Sequence, residues 1–429
     1  VFGSDRAWNA ERASIARAST MVEALCGHST ITGGNNMGAA AAVESAQSDH
    51  GAGKLTGIPE RFARSVVTDL LSRADVALEG NDPWSPRVHT VRALARVLVG
   101  GTLGAGESYV DGDWDCDALD ELTARVCRAH LDERMTKPVF VAAEMLARAA
   151  NFQTMARSKR DVGSHYDRGN DLYEAMLGRT LAYSCGYWRD ANNLDDAQDA
   201  KHDLVCKKLD LRPGQRVLDI GCGFGGFARR AAERCGVTVK GVTISHAQAE
   251  RARVNCAGLP VDIELADYRS LTGSYDRVVV IGMFEHVGPL NHRPFFAKVK
   301  SLLADDGLCL VQTIGTTKPS WRIDPWINRY IFPHAVVPAA SQVTSAAEDI
   351  LHVEDWHSFG TDYDRTLMAW CKNFDAAWPS LAGRYGERFR RLWRYYLLTC
   401  AGTFRARKNQ LWQIVLSKNG VPGGYRRAQ

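Results

Sequence analysis

Short apolar runs alternating with helical stretches from residue 163 onward predict an α/β protein built on a doubly wound parallel sheet. A glycine-rich turn, Gly221-Cys222-Gly223-Phe224-Gly225-Gly226, follows directly on one such run, as at the mouth of a nucleotide-binding sheet. Upstream, Phe62, Val66, Val67, Leu70 and Leu71 recur at helical spacing, as do Leu119, Leu122 and Val126. These add a small, largely helical N-terminal domain.

The chain has 429 residues, 45% hydrophobic and 24% charged, which is ordinary globular composition. A net charge of +4 neither demands nor excludes an anionic partner; no nucleic-acid groove is apparent and none is expected. No apolar run is long enough to span a bilayer, and no signal peptide is visible. The cysteines number eleven, with no C-x-x-C pair. Reduced thiols in a cytoplasmic protein fit this better than a disulfide framework or a zinc ribbon.

In order along the chain, residues 1–55 are expected to be a disordered extension, because 27–54 are rich in Gly, Ala, Ser and Asn without an apolar period. Residues 56–150 form the accessory domain, in which the glycine-rich stretch 101–112 is expected to be loop. A basic linker, 151–162, carries Arg157, Lys159 and Arg160. The catalytic domain is 163–429. Its strands are expected at Arg216–Ile220, Val237–Ile244, Val261–Leu265, Arg277–Gly282 and Leu308–Thr313, with two more around His352–Trp356 and Trp412–Leu416. Asp195, Asp196 and Asp199 read as a solvated helix start.

The run Val217-Leu218-Asp219-Ile220 enters the turn, where Gly221 and Gly223 let the backbone approach a ligand and the next helix offers free N–H groups. Gly226 even completes a dinucleotide fingerprint. A dinucleotide enzyme, however, places an acid about 20 residues on, and Lys240-Gly241-Val242-Thr243-Ile244-Ser245 has none. Ser245 and Gln248 are instead expected to form a capping box. The pattern Asp-Ile-Gly-Cys-Gly-x-Gly-Gly is similar to the S-adenosylmethionine loop of class I methyltransferases, whose sheet is Rossmann-like.

Further blocks sharpen the resemblance: Gly106–Trp114, His165–Asp171, Tyr183–Trp188, Gly282–Gly288, Asp324–Pro333, Trp356–Asp364, Cys400–Arg407 and Gln410–Gln413. From about residue 58 to the end, the chain resembles cyclopropane-fatty-acid-phospholipid synthases. The resemblance implies transfer of a methylene group from S-adenosylmethionine to the cis double bond of unsaturated phospholipid chains, by an enzyme peripherally associated with the membrane. Such chemistry needs an aligned methyl donor, a dry and preferably aromatic site for the carbocation, and a base that removes a proton to close the ring.

By resemblance the base is a bicarbonate ion, cradled by Cys185, Glu285, Ile314 and Tyr363. Gly282 is expected beside it, where a side chain would intrude. The cofactor set is Tyr183, Ser184, Asp219, Gly221, Cys222, Gly223, Gly225, Thr243, Gln248, Asp267 and Tyr268. Phe284, Trp326, Tyr330, Phe332 and Trp370 are candidates for the acyl tunnel and the cation shield, though each would serve equally as core. Cys400 matches a cysteine traditionally labelled catalytic, yet methyl transfer from an activated sulfonium needs no enzyme nucleophile.

One position departs from the family pattern: Gln312 stands where His is usual, in Gln312-Thr-Ile-Gly315. An amide donates to an anion but cannot become a cation. Slower proton loss opens two alternatives, a lipid methyltransferase giving methyl- or methylene-branched chains and a catalytically impaired lipid-binding homologue. A homodimer is left open by the sequence.

Overall fold

The computed structural model describes residues 59–131 and 169–428. The expected extension and the linker with Arg157, Lys159 and Arg160 lie outside the described residues. The N-terminal part comprises helix α1 (Glu60–Ser72), strand β1 (Arg87–Val88), helices α2 (Arg92–Gly100) and α3 (Thr102–Val110), strand β2 (Trp114–Asp115) and helix α4 (Leu119–Arg128). The two short strands pair antiparallel.

Helix α3 corrects the expected loop over 101–112. Its glycines serve close packing rather than a turn. A Cβ on Gly104 would lie 1.9 Å from the Arg96 carbonyl oxygen, and one on Gly106 would lie 2.3 Å from the Trp326 indole. The Ser108 hydroxyl folds back onto the Gly104 carbonyl at 2.7 Å, and only Gly101, at φ 59°, makes the corner with α2.

Helices α5 (Asn170–Leu177) and α6 (Leu194–Lys208) lead into the sheet. Asn193 caps α6, accepting from the Asp196 N–H at 2.9 Å. The acids there are not simply solvated: Asp195 accepts from the Arg179 N–H, and Asp199 pairs with Arg179 and Arg230. Next come β3 (Arg216–Ile220), α7 (Gly226–Cys235), β4 (Thr238–Thr243), α8 (His246–Asn255), β5 (Val261–Leu265), β6 (Tyr275–Ile281), α9 (His292–Leu302) and β7 (Leu303–Thr316). The chain closes with α10 (Pro325–Tyr330), α11 (Ala340–Ala347), β8 (His352–Ser358), α12 (Thr361–Arg405) and β9 (Asn409–Ser417). Gly386, at φ 73° and ψ 161°, breaks α12 into two segments.

The seven-stranded sheet runs β5-β4-β3-β6-β7-β9-β8. Pairing is parallel from β5 to β7, whereas β9 lies antiparallel to both neighbours. The expected all-parallel sheet is therefore mixed at one end. Alternate residues face opposite sides, and both sides are apolar. Leu218, Val278, Val280 and Val311 pack under α9 and α11, while Val217, Val279 and Leu310 pack under α6 and α7. A third core joins α3, α4, α5 and α12 around Trp370, Phe374 and Trp393, all wholly buried. Burying one such ring contributes roughly 1.5–3 kcal/mol, so this core holds the N-terminal helices against the catalytic part. The backbone approach is close: a Cβ on Gly402 would sit 2.4 Å from the Asp120 carbonyl oxygen.

The chain order reverses between β3 and β6. Helices leaving these two neighbours diverge to opposite sides, which opens a crevice at their carboxyl ends.

Candidate active site

A cavity of about 1390 Å³, part of it open to solvent, occupies that crevice. Its floor is the turn after β3. Gly221 and Gly223 have φ of 79° and 54°, conformations that side chains rarely adopt. Nothing lies within 4 Å of a Cβ built on Gly223, so a side chain there would enter the cavity. Gly226 opens α7 against Thr180, whose carbonyl oxygen would be 2.5 Å from an added Cβ. Gly225 does not line the cavity. At φ 82° it precedes α7 and faces Cys256, 2.9 Å from an added Cβ. Its requirement for glycine comes from helix packing, not from a ligand.

The walls come from the ends of β4, β5 and β6. Thr243 and Gln248 line the cavity, but the expected capping box is only half made. Ser245 accepts from the Gln248 N–H at 3.3 Å, whereas the Gln248 side-chain carbonyl accepts from the Thr243 hydroxyl at 2.8 Å. The Ser245 N–H in turn donates to Thr243 Oγ1. Threonine thus takes the position a returning glutamine would fill, and the Gln248 amino group is left to offer to a ligand. Asp267 and Tyr268 line the β5 side, where the Asp267 carboxylate is clamped by Arg269 at 2.8 Å. Gly282 and Met283 line the β6 side.

Tyr183 and Ser184 close the cavity from the loop before α6. Beneath them lie two buried titratable groups. Asp219 is 2% exposed, and among the described residues its Oδ2 has no hydrogen-bond partner. Burial pushes its pKa up to about 7, against the pull of Lys201. Lys201 is 1% exposed and donates to Ser184 Oγ at 2.9 Å. Burial brings it down to about 7, opposed by Cys185 and Asp219. Sequence reading passed over Lys201, and also His202, Met283, His286 and Arg269, which line the same cavity.

A second group gathers behind β6. Glu285 is 7% exposed in a short turn, and its Oε1 accepts from the Ile314 N–H at 2.7 Å. The Ile314 amide is therefore already engaged. Glu285 Oε2 is buried without a partner among the described residues, and burial raises the carboxyl to about 7. Gln312 adjoins them on β7: its backbone carbonyl accepts from the Gly282 N–H, and its side-chain oxygen from Gln413 Nε2 at 2.9 Å. Cys185, Ile314 and Tyr363 share one apolar cluster. The Cys185 thiol is wholly buried and pushed well up, held beside Thr366.

Gly282 lines the cavity at φ 66°, and a Cβ on it would meet only Ser184 at an ordinary 3.8 Å, so a side chain there would enter the cavity, as one on Gly223 would. Two expectations change here. Phe284 faces away from the cavity into the sheet core, stacked on His292 with ring centroids 4.4 Å apart. Cys400 packs on the α12 core, outside the cavity lining, and burial pushes its thiol to about 12, which makes it a poor nucleophile. The remaining aromatics do assemble. The Tyr183 ring lies 5.2 Å from Trp370 and 6.3 Å from Phe332, and its hydroxyl meets that of Tyr396 at 2.8 Å. Tyr363 stands 6.0 Å from Trp370. Trp326 and Tyr330 pack farther out, against Tyr395 and Glu107 respectively.

Comparison with known proteins fits this geometry. Residues 153–414 match the family model for mycolic acid cyclopropane synthetase. The chain is 47% identical over 373 residues to the cyclopropane-fatty-acyl-phospholipid synthase of Escherichia coli, covering 87% of this chain and 97% of that one. It is 31% identical to a tuberculostearic acid methyltransferase of Mycobacterium tuberculosis, covering 85% and 92%. Among solved structures it is similar to the mycolic acid cyclopropane synthase CmaA1 complexed with SAH and CTAB, with 32% identity, a TM-score of 0.57, and coverage of 61% of this chain and 98% of that one. The fold is that of the class I S-adenosylmethionine-dependent methyltransferases, and the chain belongs to the mycolic acid cyclopropane synthetase family.

Proposed function

We propose that this enzyme transfers a methylene group from S-adenosylmethionine to the cis double bond of unsaturated phospholipid acyl chains, forming cyclopropane fatty acids. The observation that carries this reading is Tyr183, which closes the cofactor cavity while its ring joins the aromatic cluster of Phe332, Trp370 and Tyr396. A methyl donor and an apolar chain can meet across that one side chain.

The residues fit the cofactor: open space above Gly223, an unpartnered Asp219 oxygen, and polar groups at Ser184 and Gln248. When bound, S-adenosylmethionine supplies a methyl group on a positively charged sulfur. The chain's own residues do the rest. The turn after β3 and Tyr183 orient the donor against the alkene. Tyr183, Phe332, Trp370 and Tyr363 exclude water and present ring faces to a passing carbocation. Glu285 holds a proton position at Ile314, which packs in one cluster with Tyr363. Its free Oε2 fits the O–H of a bicarbonate ion, which would take the ring-closing proton and pass one to the carboxylate. Reaching such acyl chains places the enzyme at the membrane surface, where the cytoplasmic leaflet presents them.

Expression in a host rich in unsaturated phospholipid, followed by fatty-acid mass analysis, tests the reading. Products should be one CH₂ heavier and should lack the alkene. A heavier product that retains an alkene, or carries a saturated methyl branch, would replace it with the branched-chain reading, which Gln312 favours.

Gln312→His tests the anion site. A neutral donor contributes roughly 1 kcal/mol net and a charged one about 1.5–3, so the substitution should lower the bicarbonate needed for half-maximal activity about tenfold. Cofactor affinity should stay nearly unchanged. The measurement is ring formation against added bicarbonate in degassed buffer. Identical curves for both forms would show that position 312 does not tune the site.

A further inference from the structure

We infer that Lys201 and Asp219 form a charge-matched subsite for the amino-acid end of the cofactor, Lys201 with Ser184 receiving the α-carboxylate and Asp219 the α-ammonium. This rests on the cofactor reading above and assigns to Lys201 a positioning role.

Lys201 sits on α6, on the buried face that also carries Ala197, Leu204 and Val205. An ammonium at such a position is costly unless charge and hydrogen bonds compensate it. Among the described residues it makes one hydrogen bond, to Ser184 Oγ. A Lys Nζ has three donors, and the side chain lines the cavity, so donors remain for a ligand. Across the same cavity wall, Asp219 Oδ2 is buried without a donor. An unsatisfied carboxylate oxygen and an under-used ammonium, both facing one cavity, are what a zwitterion would complete.

The surroundings support this pairing over a purely structural one. The groups that bear on Lys201 are Asp219, the neutral Cys185 thiol and the neighbouring His202, which burial and Lys201 itself keep uncharged. Beyond His202, Arg230 is engaged by Asp199 and Asp203. Among the described residues, no second carboxylate bears on the ammonium. A bound α-carboxylate would supply that charge, and the Ser184 hydroxyl, already oriented by Lys201, can donate to the same group.

The test measures binding of three ligands by calorimetry: S-adenosylhomocysteine, its decarboxylated counterpart and methylthioadenosine, which lacks the whole amino-acid end. The wild type should prefer S-adenosylhomocysteine to the decarboxylated ligand by about 10- to 100-fold, the range for a charge-assisted hydrogen bond. Lys201→Met should lose that same factor for S-adenosylhomocysteine. It should bind the decarboxylated ligand and methylthioadenosine as the wild type does. Equal losses for all three ligands would mean that Lys201 merely supports the fold, and undiminished S-adenosylhomocysteine binding would overturn the assignment. Should Lys201→Met not fold, the wild-type preference alone decides, since its absence contradicts a carboxylate subsite. A wild type that binds none of the three would instead remove the cofactor reading.

Discussion

Glu285→Gln should slow ring formation by about a hundredfold to ten-thousandfold, the range for losing a positioned proton acceptor. The carboxyl is buried, held by the Ile314 N–H on one oxygen and free on the other. An amide keeps the shape but cannot take a proton. Because burial raises the Glu285 pKa to about 7, the wild-type rate should climb with pH through that value, while the variant stays low and flat. Stability should move the opposite way. The folded state holds the Glu285 proton to higher pH than the unfolded chain does. The group's contribution is therefore complete below about pH 4.5 and is lost as pH rises through about 7. Glu285→Gln should flatten that part of the stability profile, in which Asp219 shares the same direction. Rate profiles and denaturant melts between these pH values check both signs. A variant with wild-type rates would remove Glu285 from the proton path.

Gly223→Val should abolish measurable cofactor binding, a loss of at least about a hundredfold, while the protein stays folded. Two effects act together. At φ 54° a β-branched residue is strained. More importantly, its Cβ would have no protein atom within 4 Å, because the space it enters is the cavity. Destabilisation should thus be modest, of order 1–2 kcal/mol, and the loss of affinity large. The neighbouring Gly221→Val would be less informative, since its Cβ would strike Met283 at 2.8 Å and disturb the protein itself. Calorimetry with S-adenosylmethionine, alongside a melting curve, separates the terms. Unchanged affinity would take the turn after β3 out of the binding site.

The parts of this account that are local in sequence were legible there. The strand that ends at Ile220, the turn after it and the helix that follows state their geometry through apolar alternation and glycine, and the seven strands lie where the runs predicted them. Long-range features were not legible. The glycines of α3 look like loop because the sequence does not show Trp326 and Arg96 lying against them. Phe284 looked like a tunnel residue until His292 proved to be its neighbour. The reversed strand β9 carries no mark of its direction. Lys201 did leave a signal: on α6 it recurs in step with Ala197, Leu204, Val205 and Lys208, all buried, and a charge on an apolar face asks for a partner. Naming that partner required Asp219, eighteen positions away on a strand.

The most direct measurement of the central claim is turnover by the purified protein with isotopically labelled S-adenosylmethionine and vesicles of a cis-unsaturated phospholipid. The account predicts label recovered in intact phospholipid as the bridging carbon of a cyclopropane, with one alkene consumed per label transferred and no vinylic signal remaining. Label found in a methyl or methylene branch, or binding of cofactor and vesicle without transfer, would contradict it.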